Sequence, residues 1–208
     1  MDKTTKEEFN YIDYWENNYA NGGTSGSGSY GMLAEFKKDV INELIIENQI
    51  QTVIEFGCGD GNQLKYMEYP NYLGMDISPT SIDICSKMFT KDNTKNFLLY
   101  NPKYFINKGY FKSDLVVCLD VLYHITNETD FQKTLDDIFS CNSSFIILYT
   151  RIVKSEEFVY SIPTIKDRDI LSYISKYKDY NVLKIIEQKY KKLSSADFII
   201  LEKIKNKI

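Results

Sequence analysis

The chain has 208 residues, 43% hydrophobic and 26% charged, with 25 basic against 29 acidic side chains and a net charge of −4. That length fits one domain with a sizeable core, and the acidic balance argues against a protein whose work is gripping nucleic acid. Cys58, Cys85, Cys118 and Cys141 show no CxxC pairing or zinc-type spacing, so free thiols are expected, three of them buried, and no metal site. With no signal peptide and no apolar run of spanning length, the cytosol is the expected compartment.

Residues 1–31 stand apart from the rest. An aromatic, acidic segment with Tyr11, Tyr14, Trp15 and Tyr19 precedes 21–31, which holds five of the ten glycines. Leu33, Phe36, Val40, Ile41 and Leu44 then recur at helical spacing, which predicts an amphipathic helix over 32–48. From residue 51 strands and helices alternate. Strands are predicted at 52–56, 72–75, 96–99, 114–119 and 144–149, and helices at 62–67, 79–89, 128–139 and 167–177. Ser78 and Pro79 form a helix start, an N-cap followed by proline at the first helical position. Two closing strands, 182–188 and 197–202, lack a helix between them. The pattern predicts one domain over 1–208, an α/β doubly wound sheet with ligands beyond the carboxyl ends of its strands. Residues 1–31 read as an amino-terminal lid segment and 32–208 as the core. The lysines at the carboxyl end (Lys203, Lys205, Lys207) read as a solvated tail.

The first strand runs into Val-Ile-Glu-Phe-Gly-Cys-Gly-Asp-Gly, with Gly57, Gly59 and Gly61 at alternate positions. Glycine adopts positive φ freely and lets bare backbone approach a ligand. The spacing is GxGxG, not the GxGxxG of dinucleotide sites. Glu55 and Asp60, so close to the loop, would repel a pyrophosphate and suit a ligand bearing positive charge. Asp76 lies 21 residues past Glu55, where a carboxylate can accept both ribose hydroxyls. A cation-tolerant loop plus a ribose-binding acid points to S-adenosylmethionine.

Glu55-Phe-Gly-Cys-Gly-Asp-Gly, Leu73-Gly-Met-Asp-Ile-Ser and Asp114-Leu-Val-Val-Cys-Leu-Asp-Val-Leu-Tyr-His resemble, in order, the motifs of class I S-adenosylmethionine-dependent methyltransferases. The resemblance covers about residues 51–150. It implies a Rossmann-like seven-stranded sheet in the order 3-2-1-4-5-7-6 with strand 7 antiparallel, and S-adenosylhomocysteine as product. It also implies roles by position. Gly57, Cys58, Gly59 and Gly61 would run along the methionine part of the cofactor, with Asp60 and Gln63 beside them and Glu55 toward its amino group. Asp76, Ile77 and Ser78 would meet the ribose and adenine. Tyr100 and Asn101 stand where many members carry an acid for the adenine amino group. Leu119, Asp120 and Val121 would line the cofactor and acceptor side. The stretch from Trp15 through the glycine-serine run to Lys37 resembles a bacterial subgroup found among sugar- and surface-polysaccharide-modifying enzymes. That favours a small-molecule or glycan acceptor.

Methyl transfer needs an aligned nucleophile, exclusion of water and, for a hydroxyl, removal of a proton. His124, the only histidine, lies four residues past Asp120 and suits a general base near neutral pH; a structural cap is the other reading. Tyr30, Tyr123, Tyr149 and Arg151 are the candidate acceptor contacts, against packing for the tyrosines and idle exposure for the arginine. The loop Ser25–Tyr30 is either a lid over the cofactor, with Ser27 and Gly28 supplying backbone contacts and Tyr30 a stacking face, or a flexible linker; Trp15 before it is a further candidate cofactor contact. The reading is a cytosolic O-methyltransferase, monomeric or homodimeric. Three rivals stand beside it: a methyltransferase of nucleic acid or protein, a non-catalytic cofactor-binding protein, and a nicotinamide-dependent oxidoreductase. Asp120-Val-Leu-Tyr in place of the Pro-Pro motif of base methylation counts against the first.

Overall fold

A computed structural model describes residues 9–154 and 161–205. The amino-terminal segment folds as helix α1 (Tyr11–Ala20), whose start is capped by Asn10; its side chain accepts the Ile12 and Asp13 N–H groups. Tyr11, Trp15 and Tyr19, four apart, fall on one face. A 3₁₀ turn at Ser27–Ser29 leads into α2 (Gly31–Glu47), which buries Leu33, Ile41, Leu44 and Ile45.

The core alternates as expected: β1 (Thr52–Phe56), a 3₁₀ turn at Gln63–Tyr66, β2 (Asn71–Asp76), α3 (Pro79–Met88), β3 (Lys95–Leu99) and β4 (Leu115–Leu119). A further 3₁₀ turn, Leu122–His124, precedes α4 (Glu128–Ser140) and β5 (Phe145–Arg151). Then come a small hairpin, β6 (Ser161–Ile162) and β7 (Ile165–Lys166), helix α5 (Ile170–Ile174), β8 (Tyr180–Ile186) and β9 (Ala196–Lys203). Ser78 caps α3 as its sequence predicts, its hydroxyl accepting the Ser81 N–H.

The large sheet has the order β3-β2-β1-β4-β5-β9-β8. β1 to β5 run parallel, and β9 runs antiparallel to both neighbours. With the hairpin left out of the count, this is the predicted 3-2-1-4-5-7-6. Strand order reverses between β1 and β4, and the carboxyl ends there open onto the crevice where such sheets bind ligands.

Alternate residues of each central strand feed two cores. Ile54, Val116, Cys118, Ile146 and Leu148 pack with Phe131, Leu135 and Ile138 of α4. Val53, Leu115, Val117 and Ile147 pack with Ile41, Leu44 and Ile45 of α2. Each such apolar side chain, fully buried, contributes about 1.5–3 kcal/mol. Truncating Leu135, which has no exposed surface, to alanine costs about 2–5 kcal/mol.

Three expectations are corrected. The helix predicted over 167–177 is only Ile170–Ile174, because Asp169 caps it, its side chain accepting the Ser172 N–H. The hairpin β6–β7 was not foreseen. Lys203 is not tail but the last residue of β9, opposite Tyr180; Lys207 lies outside the described residues. All four cysteines are buried and free. No helix among the described residues is long and apolar enough to cross a membrane.

Candidate active site

One cavity lies at the β1–β4 reversal, walled by the glycine loop, the ends of β2, β3 and β4, and the amino-terminal segment. The loop is pinned where the Gly57 and Cys58 N–H groups both donate to the Met75 carbonyl, at 2.7 and 3.0 Å. Gly57 and Gly59 have φ of +88° and +55°, a region side chains rarely occupy. A Cβ on Gly57 would lie 2.2 Å from Val121 Cγ2, and one on Gly59 2.2 Å from Ser25 Oγ. The glycines thus let the exit of β4 and the amino-terminal segment close upon the loop.

Two buried acids face this end of the fold. Glu55 is 4% exposed, and its Oε2 accepts the Tyr72 hydroxyl at 2.6 Å. Burial pushes its carboxyl up to about 7, against the pull of that hydroxyl and of Lys37. Asp76 accepts the Gly59 N–H on Oδ2 and the Ser78 N–H on Oδ1. Burial pushes it up to about 6 although these N–H groups favour its charge. Gln63 borders the same cavity; its Nε2 donates to the Ala34 carbonyl at 3.0 Å, while its buried Oε1 has no partner among the described residues. An orphaned carbonyl oxygen and a buried acid in one cavity wall can together seat an ammonium.

The other side carries His124 and Asp120. His124 Nδ1 lies 2.9 Å from the Thr164 carbonyl oxygen. A carbonyl can only accept, so Nδ1 bears the proton and Nε2 is the ring's acceptor. Burial lowers the pKa of the ring, which keeps it neutral at pH 7. Trp15 sets its edge against the ring, centroids 5.3 Å apart at 78°. Asp120 ends β4 in a left-handed conformation, φ +59°. It is held there by the Lys37 ammonium on Oδ2 and the Tyr123 hydroxyl on Oδ1, each at 2.8 Å.

The structure brings Trp15, Glu55, Gly57, Cys58, Gly59, Gln63, Asp76, Ile77, Tyr100, Leu119, Asp120, Val121 and His124 to the cavity wall. The remaining candidates lie behind it or away from it. Asp60 turns to the amino-terminal segment, accepting the Ser25 N–H and the Tyr30 hydroxyl. Ser27 sits in the 3₁₀ turn, and Gly28 lies against Asp120. Gly61 packs on Cys85 and Phe89. Ser78 is spent as a cap, and Asn101 Oδ1 takes the Lys103 N–H in a tight turn. The expectation that Tyr149 and Arg151 are exposed to an acceptor is corrected. Tyr149 is 1% exposed, with its hydroxyl bonded to Gln188 and Ser194. Arg151 pairs with Asp167 at 2.7 Å.

Ser25 and Ser29, from the loop with the lid-or-linker reading, also line the cavity, as do Tyr11, Tyr19, Lys37, Phe56, Ile125 and Thr134, for which the sequence reading gave no site role. The four-residue spacing of Tyr11, Trp15 and Tyr19, and a lysine at the spacing of Leu33 and Ile41, were the signals available. Tyr11, Trp15 and Tyr19 of α1, with Ser25 and Ser29 after it, put the amino-terminal segment in the cavity wall. Among the described residues no group of three or more histidines, cysteines or acids is placed to hold a metal ion.

Residues 32–148 match the methyltransferase-domain family. No curated protein sequence is significantly similar. Among solved structures, the N-methyltransferase NodS from Bradyrhizobium japonicum WM9, in complex with S-adenosylhomocysteine, superposes with a TM-score of 0.72 at 12% identity, covering 94% of this chain and 100% of that one. Magnesium protoporphyrin IX methyltransferase from Synechocystis PCC 6803, with S-adenosylhomocysteine bound, gives 0.65 at 14% identity, covering 93% and 94%. An S-adenosylmethionine-dependent methyltransferase from Clostridium acetobutylicum ATCC 824 gives 0.59 at 16%, covering 79% and 89%. Likeness at such identity speaks for the fold, and these proteins differ in what they methylate. The donor these enzymes share, S-adenosylmethionine, fits the residues present: a buried acid with an orphaned carbonyl oxygen for its ammonium, Asp76 for a ribose, and an aromatic, apolar wall for a purine. The chain belongs to the methyltransferase-domain family and has the class I S-adenosylmethionine-dependent methyltransferase fold.

Proposed function

We propose that the protein is a cytoplasmic O-methyltransferase, monomeric or homodimeric, acting on a small polar acceptor. The acceptor class is a sugar, or a phosphate-type or nucleotide-linked intermediate of surface-polysaccharide biosynthesis, and S-adenosylhomocysteine is released. The fixed tautomer of His124 carries the oxygen-transfer part of this reading. A neutral imidazole whose free Nε2 belongs to a ring bordering the cofactor cavity is equipped to take a hydroxyl proton. The resemblance of the glycine-serine stretch to sugar-modifying enzymes supports the acceptor class, and the cover provided by α1 supports a small one.

When bound, the cofactor supplies a methyl group already activated by its positive sulfur. Glu55 and Gln63 would receive its ammonium, and Asp76 would accept from its ribose hydroxyls. Ile77, Tyr100 and Ile125 would flank its purine, and Trp15 would shut out water and steady the His124 ring. His124 Nε2 accepts the proton of the acceptor hydroxyl as the new bond to oxygen forms.

The test combines methyl-labelled S-adenosylmethionine with a panel of sugar nucleotides and free sugars. Label should appear on acceptor oxygen. His124→Ala should cut the rate about 10²- to 10⁴-fold while leaving S-adenosylhomocysteine affinity within a factor of a few. A protein that does not bind the cofactor overturns the whole reading. Label on nitrogen, or full rate in the alanine variant, overturns the hydroxyl part and in the second case points to an acceptor oxygen that is already anionic.

A further inference from the structure

Lys37 sits in the middle of the buried face of α2, between Leu33 and Ile41, and is 1% exposed. Its ammonium lies 5.2 Å from the centroid of the Tyr149 ring and forms part of the cavity wall. A buried ammonium carries three N–H donors, and its burial is costly unless they are met. Among the described residues Lys37 meets a single hydrogen-bond acceptor, Asp120 Oδ2 at 2.8 Å. Asp120 is itself shared, since its Oδ1 takes the Tyr123 hydroxyl.

Position narrows what the remaining donors can meet. Lys37, Glu55 and Gln63 line the same cavity, and the Lys37 charge draws the Glu55 carboxyl down against its burial. No other lysine or arginine lines the cavity among the described residues. A ligand with an amino-acid end presents an ammonium and a carboxylate on one carbon. An acid and a carbonyl oxygen satisfy only the first of these. The second needs a cation or N–H donors within a few ångströms, and Lys37 is the side chain that offers both.

We propose that Lys37 binds the α-carboxylate of S-adenosylmethionine and S-adenosylhomocysteine through the N–H donors that Asp120 leaves free, a role that rests on the proposed cofactor. Asp120 holds the ammonium in place while the carboxylate is absent and keeps one of its bonds when the carboxylate arrives. The anionic end of the cofactor is then read from the helix before the glycine loop, not by the loop.

The experiment is calorimetric titration of the full chain with three ligands: S-adenosylhomocysteine, its decarboxylated analogue S-adenosyl-3-thiopropylamine, and 5′-methylthioadenosine, which lacks the whole amino-acid end. The wild type should favour S-adenosylhomocysteine over the decarboxylated analogue by about ten- to a hundredfold, the range of a hydrogen bond between charged groups. In Lys37→Met and Lys37→Gln that preference should fall to within about threefold, with methylthioadenosine bound as in the wild type. A preserved preference in both variants overturns the proposal. So does a parallel loss of all three ligands, which is the mark of a lysine that merely clamps α2 to the end of β4. A wild type with no preference overturns it without any variant, should both variants fail to fold. A wild type that binds none of the three removes the cofactor reading itself and Lys37's role with it, an outcome separable from the others.

Discussion

Ser25 and Asp60 hold each other by two reciprocal hydrogen bonds: the Ser25 N–H donates to Asp60 Oδ2 at 2.9 Å, and the Asp60 N–H donates to Ser25 Oγ at 2.8 Å. The Tyr30 hydroxyl adds a third bond to the same carboxylate oxygen at 2.8 Å. Two residues past Asp60, the Asn62 side chain donates to the Ser29 carbonyl. From the middle of α1, Glu16 accepts from the Ser78 hydroxyl, the Thr80 hydroxyl and the Thr80 N–H, capping α3 from another helix. The amino-terminal segment of the cavity wall is therefore fastened to the glycine loop and to the start of α3. Burial alone would raise the Asp60 pKa, but the N–H groups of Ser25 and Asn62 and the hydroxyls of Tyr30 and Ser25 outweigh it and hold the carboxyl below its usual range.

Asp60→Ala removes the acceptor of three bonds without touching the cavity wall. Bonds to a charged group contribute about 1.5–3 kcal/mol each, and they overlap here, so a stability loss of about 2–4 kcal/mol is expected in urea unfolding. Dissociation of S-adenosylhomocysteine, followed by stopped flow, should quicken at least about tenfold as the cover opens more often. A wild-type dissociation rate in a folded variant would show that the Asp60 bonds do not hold the amino-terminal segment over the ligand.

Gly59→Ala sets a Cβ 2.2 Å from Ser25 Oγ, 3.1 Å from the Tyr19 hydroxyl and 3.2 Å from Ser25 Cβ. Removing the hydroxyl with Ser25→Ala would clear only the first of these, and the φ of +55° would still strain an alanine. The double variant should therefore recover only a minor part of the S-adenosylhomocysteine affinity lost in Gly59→Ala. Full recovery by titration would mean that the serine hydroxyl alone demands a glycine.

Arg168 is 7% exposed and donates to the Ile125 carbonyl at 2.8 Å and to Glu128 at 3.1 Å, its guanidinium over the Phe131 ring at 3.8 Å. It ties α5 to the turn that carries His124. Arg168→Leu should cost about 1–3 kcal/mol, chiefly because the Ile125 carbonyl loses its donor, since Glu128 is half exposed and keeps Lys166. It should lower methyl-transfer rate more than it lowers S-adenosylhomocysteine affinity. An equal fall in both would place the damage in the cofactor end instead.

The sheet was legible because β1, β4 and β5 are short β-branched runs, each buried on both faces, and the strand–helix alternation has one common solution. That Glu55, Gly57, Gly59 and Asp76 share one cavity wall was legible, because their spacing is fixed by a strand, a loop and the next strand. Single-residue orientation was not. Asp60 lies between two glycines in the chain, yet the positive φ on each side turns it outward to Ser25. Tyr149 follows an apolar run and looked like a strand end. β5 continues two residues to Arg151, paired with β9, and this keeps Tyr149 inside the sheet against Phe198. The amino-terminal contributions depend on where α1 lands, and that is set by Tyr11 on Asp130 and Glu16 on Ser78, contacts of 119 and 62 residues' separation in sequence. No local pattern encodes such pairs.

Glu55 gives the cofactor end a pH dependence with a definite sign. In the folded, ligand-free chain its carboxyl titrates near about 7, against 4.5 as an ordinary glutamate, because burial disfavours the charge. The folded state thus binds an extra proton between these values. The stability it contributes is present below about 4.5 and is lost as pH rises through about 7. Asp76, pushed from 3.8 up to about 6, acts in the same direction. Glu128, drawn down to about 2 by Tyr173, Lys166 and Arg168 against its burial, acts oppositely, losing its contribution as pH falls through that value. Comparing Glu55→Gln with wild type cancels the shared groups. The melting temperature of the variant relative to wild type should climb as pH goes from 5 to 8. An ammonium ligand needs the charged form, so S-adenosylhomocysteine affinity of the wild type should weaken as pH falls below about 7, by close to tenfold per unit once Glu55 is protonated. The glutamine variant should bind weakly with a flatter profile. A melting difference that does not change with pH would mean that Glu55 is already charged in the empty site, and the ammonium seat would then have to be compensated by a cation nearer than Lys37.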